Sequence, residues 1–575
     1  MRKILAVIIA LAAAGCGGVR RPETPAPVIR GAPIIPATWT LRSQPVTAPH
    51  AMVVTAHPLA TQAGVEILKE GGNAIDAAVA VAFALEVVYP VAGNVGGGGF
   101  IVYRTAAGEV AALDYREAAP TGASRDMYVD SAGNVTDKSR IGHLAAGVPG
   151  SVAGLHAAWK RYGSLSWATL LAPAIRLARG HVIDADRSRN IAGDRELLAR
   201  FPASRTQFLP GDSAPPPGTT WKQPDLARTL QLISDSGPDV FYRGQIADLI
   251  VAEMHRGGGL ITKEDLGRYQ AKWRTPVRLT YRGSTIYSMP PPSSGGVTMG
   301  EILNILEGFD TIPRFGTPAY VHLLTEAMRR AFIDRNRWLG DPDFVDMPLD
   351  RLLSKPYAAT LRAQIDPQHA TPTPPAATGR EGMNTTHYSI VDAQGNAAAV
   401  TTTLNGGFGS GVTVTGAGFL LNNEMDDFTS APGKPNMYGL VQGEANAIQP
   451  GKRMLSAMTP SIVLDKSGQL EMVVGTPGGP TIITSVAQVI LDVLDQGMDL
   501  SAAMAAPRIH HQALPDVIRY EDGGFSDATL QALRAMGHRI DAWRGRQGLV
   551  EAIQRTAGGW VGVPDPRSAG GALGY

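Results

Sequence analysis

The chain has 575 residues, enough to form several domains or one large enzyme without stabilising cross-links. Hydrophobic residues make up 44% and charged residues 18%, which excludes an intrinsically disordered chain. The 52 basic and 51 acidic side chains nearly cancel, so no overall field favours nucleic acid, and we expect no nucleic-acid partner. The single cysteine, Cys16, excludes an intramolecular disulfide and a zinc site built from cysteines.

Residues 1–16 have the pattern of a bacterial export signal. Two basic residues precede an apolar run over residues 4–14, which is too short to span a bilayer. Small residues then lead to Cys16, which resembles the motif of lipid-modified bacterial proteins, although Ala13 replaces its usual leucine. An ordinary signal peptide is the alternative. Residues 17–45 are proline-rich and predict a tether, so we expect a periplasmic or cell-surface protein with a possible lipid anchor.

The first globular elements are two helices. Residues 61–70 show helical spacing and end at a glycine pair. Asn73 is a suitable N-cap for a second helix over residues 74–88, which has almost no polar face and should therefore be buried. Strands are predicted over residues 100–104, after four consecutive glycines, and over residues 110–115.

The second half of the chain is richer in strands. Helices dominate residues 151–365, and the prolines of residues 366–384 predict a mobile segment. Two alternating segments around a turn predict a hairpin over residues 386–404. Residues 471–475 predict a strand, and residues 482–494 predict an apolar helix behind it. Strands flanked by long apolar helices indicate sheets that are covered by helices.

Several chemically suggestive motifs have a structural explanation. The glycines of residues 96–99 lack the spacing of a dinucleotide site. His510 and His511 are adjacent, so they cannot easily face one metal ion from regular structure. Ser293 and Ser294 follow three prolines, where a rigid turn is favoured over a catalytic nucleophile.

The residues that open the predicted hairpin allow two interpretations. On the first, Asn384 and Thr385 only connect a loop to a sheet. On the second, cleavage between them gives Thr385 a free amine, which can act as the base for its own hydroxyl group. The mobile segment before the cleavage point could then swing away and open a site.

A set of motifs lies in order along the chain from about residue 51. They are Gly96 to Phe100, Asp114-Tyr115-Arg116-Glu117, Thr385-Thr386-His387-Tyr388-Ser389, Leu421-Asn422-Asn423-Glu424-Met425-Asp426-Asp427-Phe428, Gly475-Thr476-Pro477-Gly478-Gly479 and Asp565-Pro566-Arg567. In these motifs the chain resembles the γ-glutamyltransferase (γ-glutamyltranspeptidase) family of N-terminal-nucleophile hydrolases. The resemblance implies an α+β fold, a four-layer αββα sandwich formed as one unit by two cleaved subunits. It implies a large subunit over residues 46–384, a small catalytic subunit over residues 385–575, and no cofactor or metal.

The resemblance also implies roles for single residues. Thr385 would attack the carbonyl group of Asn384, cleave the chain and then serve as the catalytic nucleophile. Thr403 would hydrogen-bond to Thr385, and Gly478 and Gly479 would form the oxyanion hole. The residues implied to bind the two ends of a γ-glutamyl group are Asn405, Glu424 and Asp427 for the amine, and Arg116 and Ser456 for the carboxylate.

Residues 429–443, with Tyr438, resemble the lid loop of bacterial members, which shields the acyl-enzyme. Two departures from the family concern the substrate. Ala457 replaces the second serine of the carboxylate-binding pair, and Pro480-Thr481 replace a more usual Ser-Arg. A lost hydrogen bond to a charged group costs about 1.5–3 kcal/mol.

The leading hypothesis is a self-cleaving γ-glutamyltransferase or glutathione hydrolase. Its donors would be glutathione and other γ-glutamyl amides, and its acceptors would be water, amino acids or dipeptides. Ala457 motivates an alternative, a related amidase such as a glutaryl or cephalosporin acylase, whose substrates lack the α-amino group. Asn405, Glu424 and Asp427 favour the first hypothesis. The third hypothesis is an inert surface lipoprotein on the same scaffold.

Overall fold

Two seven-stranded sheets organise the part of the chain that the structure describes. The predicted export signal with Cys16, residues 17–41 of the predicted tether, and Asn384 lie outside that part. Of the helices described, none is both long enough and apolar enough to cross a bilayer. The computed structural model describes residues 42–93, 95–372, 385–431, 433–543 and 545–575.

The helices and strands are numbered in chain order. The helices are α1 (Pro58–Lys69), α2 (Ala74–Val88), α3 (Ser151–Tyr162), α4 (Trp167–Arg179), α5 (Ala185–Gly193), α6 (Arg195–Leu198), α7 (Pro202–Phe208), α8 (Pro224–Ser236), α9 (Asp239–Tyr242), α10 (Gln245–Gly257), α11 (Lys263–Arg268), α12 (Gly295–Glu307), α13 (Pro318–Trp338), α14 (Leu349–Leu352), α15 (Lys355–Arg362), α16 (Thr481–Leu494), α17 (Leu500–Ala505) and α18 (Asp527–Ala535). The strands are β1 (Val46–Ala48), β2 (Met52–Thr55), β3 (Gly98–Arg104), β4 (Val110–Asp114), β5 (His181–Val182), β6 (Thr220–Trp221), β7 (Lys272–Arg274), β8 (Val277–Tyr281), β9 (Ser284–Ser288), β10 (Thr385–Val391), β11 (Ala397–Thr403), β12 (Ser461–Leu464), β13 (Leu470–Gly475), β14 (Ile509–His510), β15 (Ile518–Glu521), β16 (Ile540–Trp543), β17 (Glu551–Thr556), β18 (Gly559–Pro564) and β19 (Gly571–Gly574).

Both large sheets combine strands from distant parts of the chain. The strand order is β19-β2-β10-β11-β3-β4-β7 in the first sheet and β1-β18-β17-β13-β12-β9-β8 in the second. Neighbouring strands in both sheets pair antiparallel. The inner faces share a buried apolar cluster that includes Met52, Phe100, Ile462 and Ile553.

Helices cover the outer faces of the two sheets. Helices α1 and α2 pack on the first sheet, and helices α12 and α16 pack on the second. A separate cluster of buried apolar side chains fills each of these two helix–sheet layers. The order helix, sheet, sheet, helix is the predicted αββα sandwich, so the predicted fold class is confirmed.

Helix α2 is buried along its whole length, as its apolar composition predicts. The Asn73 side chain accepts the N–H groups of Ile75 and Asp76, and the Asp76 carboxylate accepts the N–H group of Asn73. This reciprocal capping satisfies the first turn. The helix packs against α1, α4 and the first sheet, which explains why it needs no polar face.

Strands β10 and β11 form the predicted hairpin at the centre of the first sheet. The carboxylate of Asp392 accepts the backbone N–H groups of Gln394 and Asn396, which closes the turn. The pairing register places Thr385 opposite Thr403. The hairpin therefore brings two threonine side chains to the same end of two buried strands.

The segment predicted to be mobile is anchored in its first part. His322 Nε2 on helix α13 lies 2.8 Å from the carbonyl oxygen of Asp366. The Glu326 carboxylate, on the same helix, accepts the backbone N–H of Thr371 at 3.1 Å. These bonds attach the described residues 366–372 to helix α13 at Asp366 and Thr371, and the mobility of the segment stays a prediction. Residues 373–384 lie outside the described part of the chain.

Candidate active site

A small closed cavity lies where strands β10 and β11 end. Its volume is about 20 Å³, room for roughly one water molecule. It gathers most of the residues for which the sequence predicts a role in catalysis or substrate binding. Those on its wall are Arg116, Thr385, Thr403, Asn405, Glu424, Asp427, Tyr438, Ser456 and Gly479.

Thr385 is the first residue of β10, and its side chain is buried. The Oγ1 atoms of Thr385 and Thr403 lie 3.3 Å apart across the hairpin. Thr403 Oγ1 also accepts the backbone N–H of Asn405 at 2.7 Å, which fixes the position of its hydroxyl group. Thr403 can therefore orient the Thr385 hydroxyl group without itself being free to rotate.

His387 points to the same side of β10 as Thr385 but does not supply a base. Burial lowers the pKa of His387 to about 3, so the imidazole is neutral at physiological pH. Its two ring nitrogens lie 2.8 Å from Thr401 Oγ1 and 3.1 Å from Ser389 Oγ. His387 is therefore engaged with its own strand neighbours and is not hydrogen-bonded to Thr385.

Gly478 and Gly479 form a tight turn that leads into helix α16. Their φ angles are +137° and +55°, which favour glycine. The carbonyl oxygen of Gly478 accepts the hydroxyl of Thr481 at 2.7 Å, which fixes the loop at the helix start. A Cβ atom on Gly479 would lie 2.7 Å from the ring of Tyr438, so only glycine fits. Gly479 lies on the cavity wall, and Gly478 lies directly before it.

Arg116 is the centre of a buried ion cluster. Its guanidinium group lies 2.7 Å from Glu424 and 3.6 Å from Glu117, and it also contacts Asp427. Burial raises the pKa of Glu424 and Asp427 above their usual values, although the charge of Arg116 opposes that effect. Burial likewise raises the pKa of Glu117 to about 7. The cluster therefore retains a proton near neutral pH unless a further cation approaches it.

Sequence reasoning missed a second arginine in the cavity wall. Arg335 of helix α13 is 1% exposed, and its Nε donates to Ser294 Oγ at 3.0 Å. Burial lowers the pKa of Arg335 to about 10, so the side chain remains cationic at neutral pH. The available signal was its position: Met328, Ala331 and Arg335 share one helical stripe, where an arginine is out of place unless it has a buried partner.

Arg335 reaches the predicted carboxylate site through Ser294. Ser294 Oγ donates to the carbonyl oxygen of Ser456 at 2.6 Å, so a cation and two serines form a chain. The Ser293-Ser294 pair is therefore part of a fixed turn, as predicted. Ala457 lies on the cavity wall beside Ser456, where a second serine would offer a hydroxyl group.

Tyr438 closes the cavity from the predicted lid, of which Pro432 lies outside the described residues. Its hydroxyl group donates to Asn405 and lies 2.5 Å from Asn405 Oδ1. The Asn405 amide in turn donates to the carbonyl oxygen of Asn423 at 3.0 Å. Tyr438 is therefore hydrogen-bonded to Asn405, which also lines the cavity and is itself held by Asn423.

Two other groups of polar side chains in the described residues are occupied by their own partners. His322, Glu326 and His538 could hold a metal ion by proximity, since their ligand atoms lie within 4.8 Å of one another. However, His322 bonds His538 at 2.7 Å, and two arginines and Thr371 occupy the Glu326 carboxylate. His510 and His511 face different partners, Thr484 and Asp516, as the structural interpretation predicts.

A larger cleft, of about 820 Å³, lies beside His57 and Asp184, away from these residues. Two histidines line it. His57 is already committed, since Nδ1 accepts the N–H of Leu59 and Nε2 lies 2.9 Å from Asp184. The second, His181, has its Nδ1 3.1 Å from the carbonyl oxygen of Leu177. We therefore place the chemistry in the small cavity, where a nucleophile, a glycine turn and an ion cluster meet.

Comparisons with known proteins bear on the family and the fold of the chain. The sequence model of the family described as Gamma-glutamyltranspeptidase matches residues 60–575. A protein named glutathione hydrolase proenzyme from Escherichia coli (strain K12) is 46% identical over 535 residues, covering 91% of each chain. A protein named acylase ACY 1 proenzyme from Pseudomonas sp. (strain SE83) is 39% identical over 513 residues, covering 88% of this chain and 89% of that protein.

A solved structure shows the same fold over nearly the whole chain. The crystal structure of cephalosporin acylase from Bacillus halodurans superposes with a TM-score of 0.84 at 30% identity. It covers 94% of this chain and 98% of that chain. The sequence match and the shared architecture therefore agree with each other. The chain belongs to the γ-glutamyltranspeptidase family.

Proposed function

We propose that this chain is a self-cleaving enzyme that hydrolyses glutathione and other γ-glutamyl amides, or transfers the γ-glutamyl group to amino acids or peptides. The charge of the closed cavity carries the proposal. There the guanidinium groups of Arg116 and Arg335 line the wall together with the carboxylates of Glu424 and Asp427. The carboxylates can pair with the ammonium group of a γ-glutamyl substrate, and a guanidinium group can bind its carboxylate.

Maturation begins at Thr385. Its hydroxyl oxygen attacks the carbonyl carbon of Asn384, the peptide C–N bond breaks, and the Thr385 nitrogen takes the hydroxyl proton. An ester then joins the two parts of the chain. Water hydrolyses this ester, so Thr385 becomes the first residue of the small subunit and carries a free amine.

During turnover the Thr385 amine takes the proton of its own hydroxyl group as Oγ1 attacks the γ-carbonyl carbon of the donor. Backbone N–H groups of the Gly478–Gly479 turn stabilise the oxyanion, a contribution of about 3 kcal/mol per donor in other enzymes. The C–N bond breaks, the leaving amine takes the proton, and a γ-glutamyl ester remains on Thr385. Water or an acceptor amine then attacks the ester, and the Thr385 hydroxyl group is restored.

A glutaryl amidase is the second candidate. Ala457 removes one donor for the substrate carboxylate, and the acylases named above share the fold and the family. A glutaryl group has no ammonium, however, so it would offer no cationic partner to the carboxylates of Glu424 and Asp427 on the cavity wall. An Ala457→Ser variant separates the effects, because it should tighten γ-glutamyl binding if the lost hydroxyl group matters.

The first test uses the chain without residues 1–16. A denaturing gel with N-terminal sequencing should show a smaller fragment that begins Thr-Thr-His-Tyr, and a Thr385→Ala variant should remain whole. The cleaved protein is then assayed with γ-glutamyl-anilide and glutaryl-anilide. We expect at least about a tenfold preference for the γ-glutamyl donor in kcat/KM. A glutaryl preference would establish the second candidate, and a folded, cleaved protein inactive on both would overturn both.

We further propose that the enzyme is exported and held at the cell surface or in the periplasm. The export pattern of residues 1–16 and the proline-rich residues 17–45 support this location. Labelling of growing cells with palmitate should modify the wild type and not a Cys16→Ala variant. Export without labelling would leave an ordinary signal peptide as the explanation.

A further inference from the structure

The larger cleft beside His57 and Asp184 is separate from the site of the proposed reaction. Its lining comes from helices α1, α4 and α5 and from strand β5, and it shares no residue with the closed cavity. Its volume of about 820 Å³ falls within the range of about 300–1,000 Å³ that is typical of ligand sites. The cleft is therefore large enough to hold a ligand of its own.

Positive charge exceeds negative charge in the lining of this cleft. Burial lowers the pKa of His57 and of His181 below the usual value, so both imidazoles are neutral at neutral pH. Four arginines and two aspartates supply the charged groups, which are Arg42, Arg176, Arg187, Arg189, Asp184 and Asp186. The excess of arginine favours a ligand that carries an anionic group.

Three of the four arginines already have a carboxylate partner. Asp186 pairs with both Arg42 and Arg189. Arg176 pairs with Glu66 at 2.7 Å. These pairs leave the fourth arginine as the cation that an incoming anion would neutralise.

That fourth arginine, Arg187, is held in place without a counter-charge. Its guanidinium carbon lies 4.2 Å from the centre of the Tyr89 ring. Among the residues that the structure describes, Arg187 forms no ion pair, and its Nε and Nη1 atoms are buried without a hydrogen-bond partner. The nearby carboxylate of Asp184 is occupied by the N–H groups that it accepts at the start of helix α5 and by His57. An anion in the cleft would therefore meet a fixed cation.

Apolar side chains make up another part of the lining, among them those of Leu59, Leu177 and Val182. Val182 is 59% exposed, the highest value among the large apolar side chains of the described residues. The cleft thus places an exposed apolar side chain beside a group of arginines. This combination suits a ligand that joins an anionic group to a hydrocarbon chain.

The cleft also lies where the described part of the chain begins. Arg42 is the first described residue and lines the cleft, and residues 17–41 connect it to Cys16. That connecting sequence contains Arg20, Arg21 and Arg30 but a single acidic residue, Glu23. A basic segment is a poor occupant for a cationic cleft, whereas an anionic membrane surface attracts both.

We propose that this cleft docks the body of the protein on a membrane of anionic phospholipids, with a lipid phosphate at Arg187 and Val182 among the acyl chains. Arginine binds phosphate through charge-assisted hydrogen bonds. The inference goes beyond the proposed catalysis and needs only the proposed export. It also complements a lipid at Cys16, because stable anchoring takes a hydrocarbon chain together with a second signal such as a basic surface.

The first test measures sedimentation of the chain without residues 1–16 with vesicles of phosphatidylcholine, alone or mixed equally with phosphatidylglycerol. We expect binding to the mixed vesicles only. An arginine near an anionic surface is worth about 1 kcal/mol, or roughly fivefold, so Arg187→Gln/Arg189→Gln should weaken binding about five- to twenty-fivefold. Arg228→Gln/Arg243→Gln is the control, because it removes equal charge from exposed arginines outside the cleft. The control should bind as the wild type does.

Three outcomes of this test would overturn the inference. Equal losses in the two double variants would show that only the total charge matters, and failure to bind the mixed vesicles would exclude docking. Thermal protection by inorganic phosphate without vesicle binding would assign the cleft to a soluble anion.

A second test locates the contact. Cys16 is the only cysteine, so the chain without residues 1–16 has no thiol, and Val182→Cys introduces a single labelling site. A fluorophore that brightens in apolar surroundings should respond to mixed vesicles at residue 182 and not in an Ile333→Cys control, where the native side chain is 47% exposed. No response at residue 182, or an equal response at both, would contradict the proposed orientation.

Turnover of γ-glutamyl-anilide separates docking from catalysis. All these variants should retain it, because the cleft and the closed cavity share no residue. An inactive wild type that still binds mixed vesicles would overturn the proposed function alone, and an active one that does not bind them would overturn the docking alone.

Discussion

Arg335 contributes to the cavity in two ways, through its charge and through a hydrogen bond that positions another residue. Its charge lies close enough to Asp427 to stabilise that carboxylate, and burial is the larger influence on its own pKa. Its Nε holds Ser294, which in turn holds the carbonyl oxygen of Ser456. The cation therefore both balances the acidic wall and positions the residue predicted to bind the substrate carboxylate.

We predict that Arg335→Met raises KM for γ-glutamyl-anilide about ten- to hundredfold, with a smaller effect on kcat, because a charge-assisted hydrogen bond is worth about 1.5–3 kcal/mol. Arg335→Lys should recover part of the loss, since it restores the charge without the planar donor group. Arg337→Met is a matched control, because Arg337 is exposed on the same helix. Steady-state kinetics on cleaved, folded proteins measures all three. An unchanged KM in Arg335→Met would contradict this role.

At the scale of elements, the glycine turn and the lid depend on each other. Gly479 has a positive φ angle and faces the ring of Tyr438.

We predict that Gly479→Ala lowers kcat/KM at least about tenfold, because a positive φ costs an alanine about 1–2 kcal/mol and the methyl group displaces the lid. In a Gly479→Ala/Tyr438→Ala double variant the second loss should be smaller than in the wild-type background. Strictly additive effects, measured as a double-mutant cycle, would argue that the two groups do not meet.

Helix α16 contains a titratable group remote from the cavity. Burial raises the pKa of Asp492 to about 8, and Tyr320 hydrogen-bonds it at 3.2 Å. Its folded pKa lies above the unfolded value near 4, so the folded state binds the extra proton between these limits. Stability should therefore fall as pH rises from about 4 to 8, by up to about 1.4 kcal/mol per pH unit for this group.

We predict that Asp492→Asn removes that part of the pH dependence. The variant should gain on the wild type at pH 8.5 and not at pH 4, because only the ionised aspartate is penalised by burial. Melting temperatures of both proteins across this pH range provide the measurement. Parallel curves would show that Asp492 ionises normally in the folded protein.

Local sequence patterns predicted the positions of these helices and strands better than they predicted the contacts between distant segments. Alternation and turn residues placed the hairpin within one residue of strands β10 and β11, and apolar spacing placed α16 within one residue of its start. Nine of the residues to which the family resemblance assigns a role line one cavity in the structure. The position of Arg335 in the cavity wall and the anchoring of Asp366 and Thr371 were missed. Their partners come from segments far away in the chain, and the periodicity of a local sequence segment does not indicate such contacts.

At the scale of the whole molecule, the two predicted subunits are interleaved. In the first sheet, β2 of the predicted large subunit pairs with β19 and β10 of the small one, and β3 pairs with β11. In the second sheet, β1 pairs with β18 and β9 with β12. Each predicted subunit thus supplies strands on both sides of the other, and neither of the two large sheets belongs to one subunit alone.

We predict that the cleaved fragments elute together in gel filtration under native conditions and separate only in denaturant. The shared sheets and the common apolar cluster between them hold the fragments as one core. The fragment of residues 385–575, expressed alone, should fail to fold, since β10 and β11 would lose their neighbours. A soluble, folded small fragment would contradict this account.

The interleaved strands have a consequence for inheritance and rescue. Two defective copies, one damaged at Arg116 and the other at Asp427, each contain one sound half. In an enzyme with detachable subunits, mixing such copies would regenerate active pairs. Here only unfolding separates the two fragments. Co-expression of the two alleles should therefore yield no complementation, and each large fragment stays with the small fragment cut from the same chain.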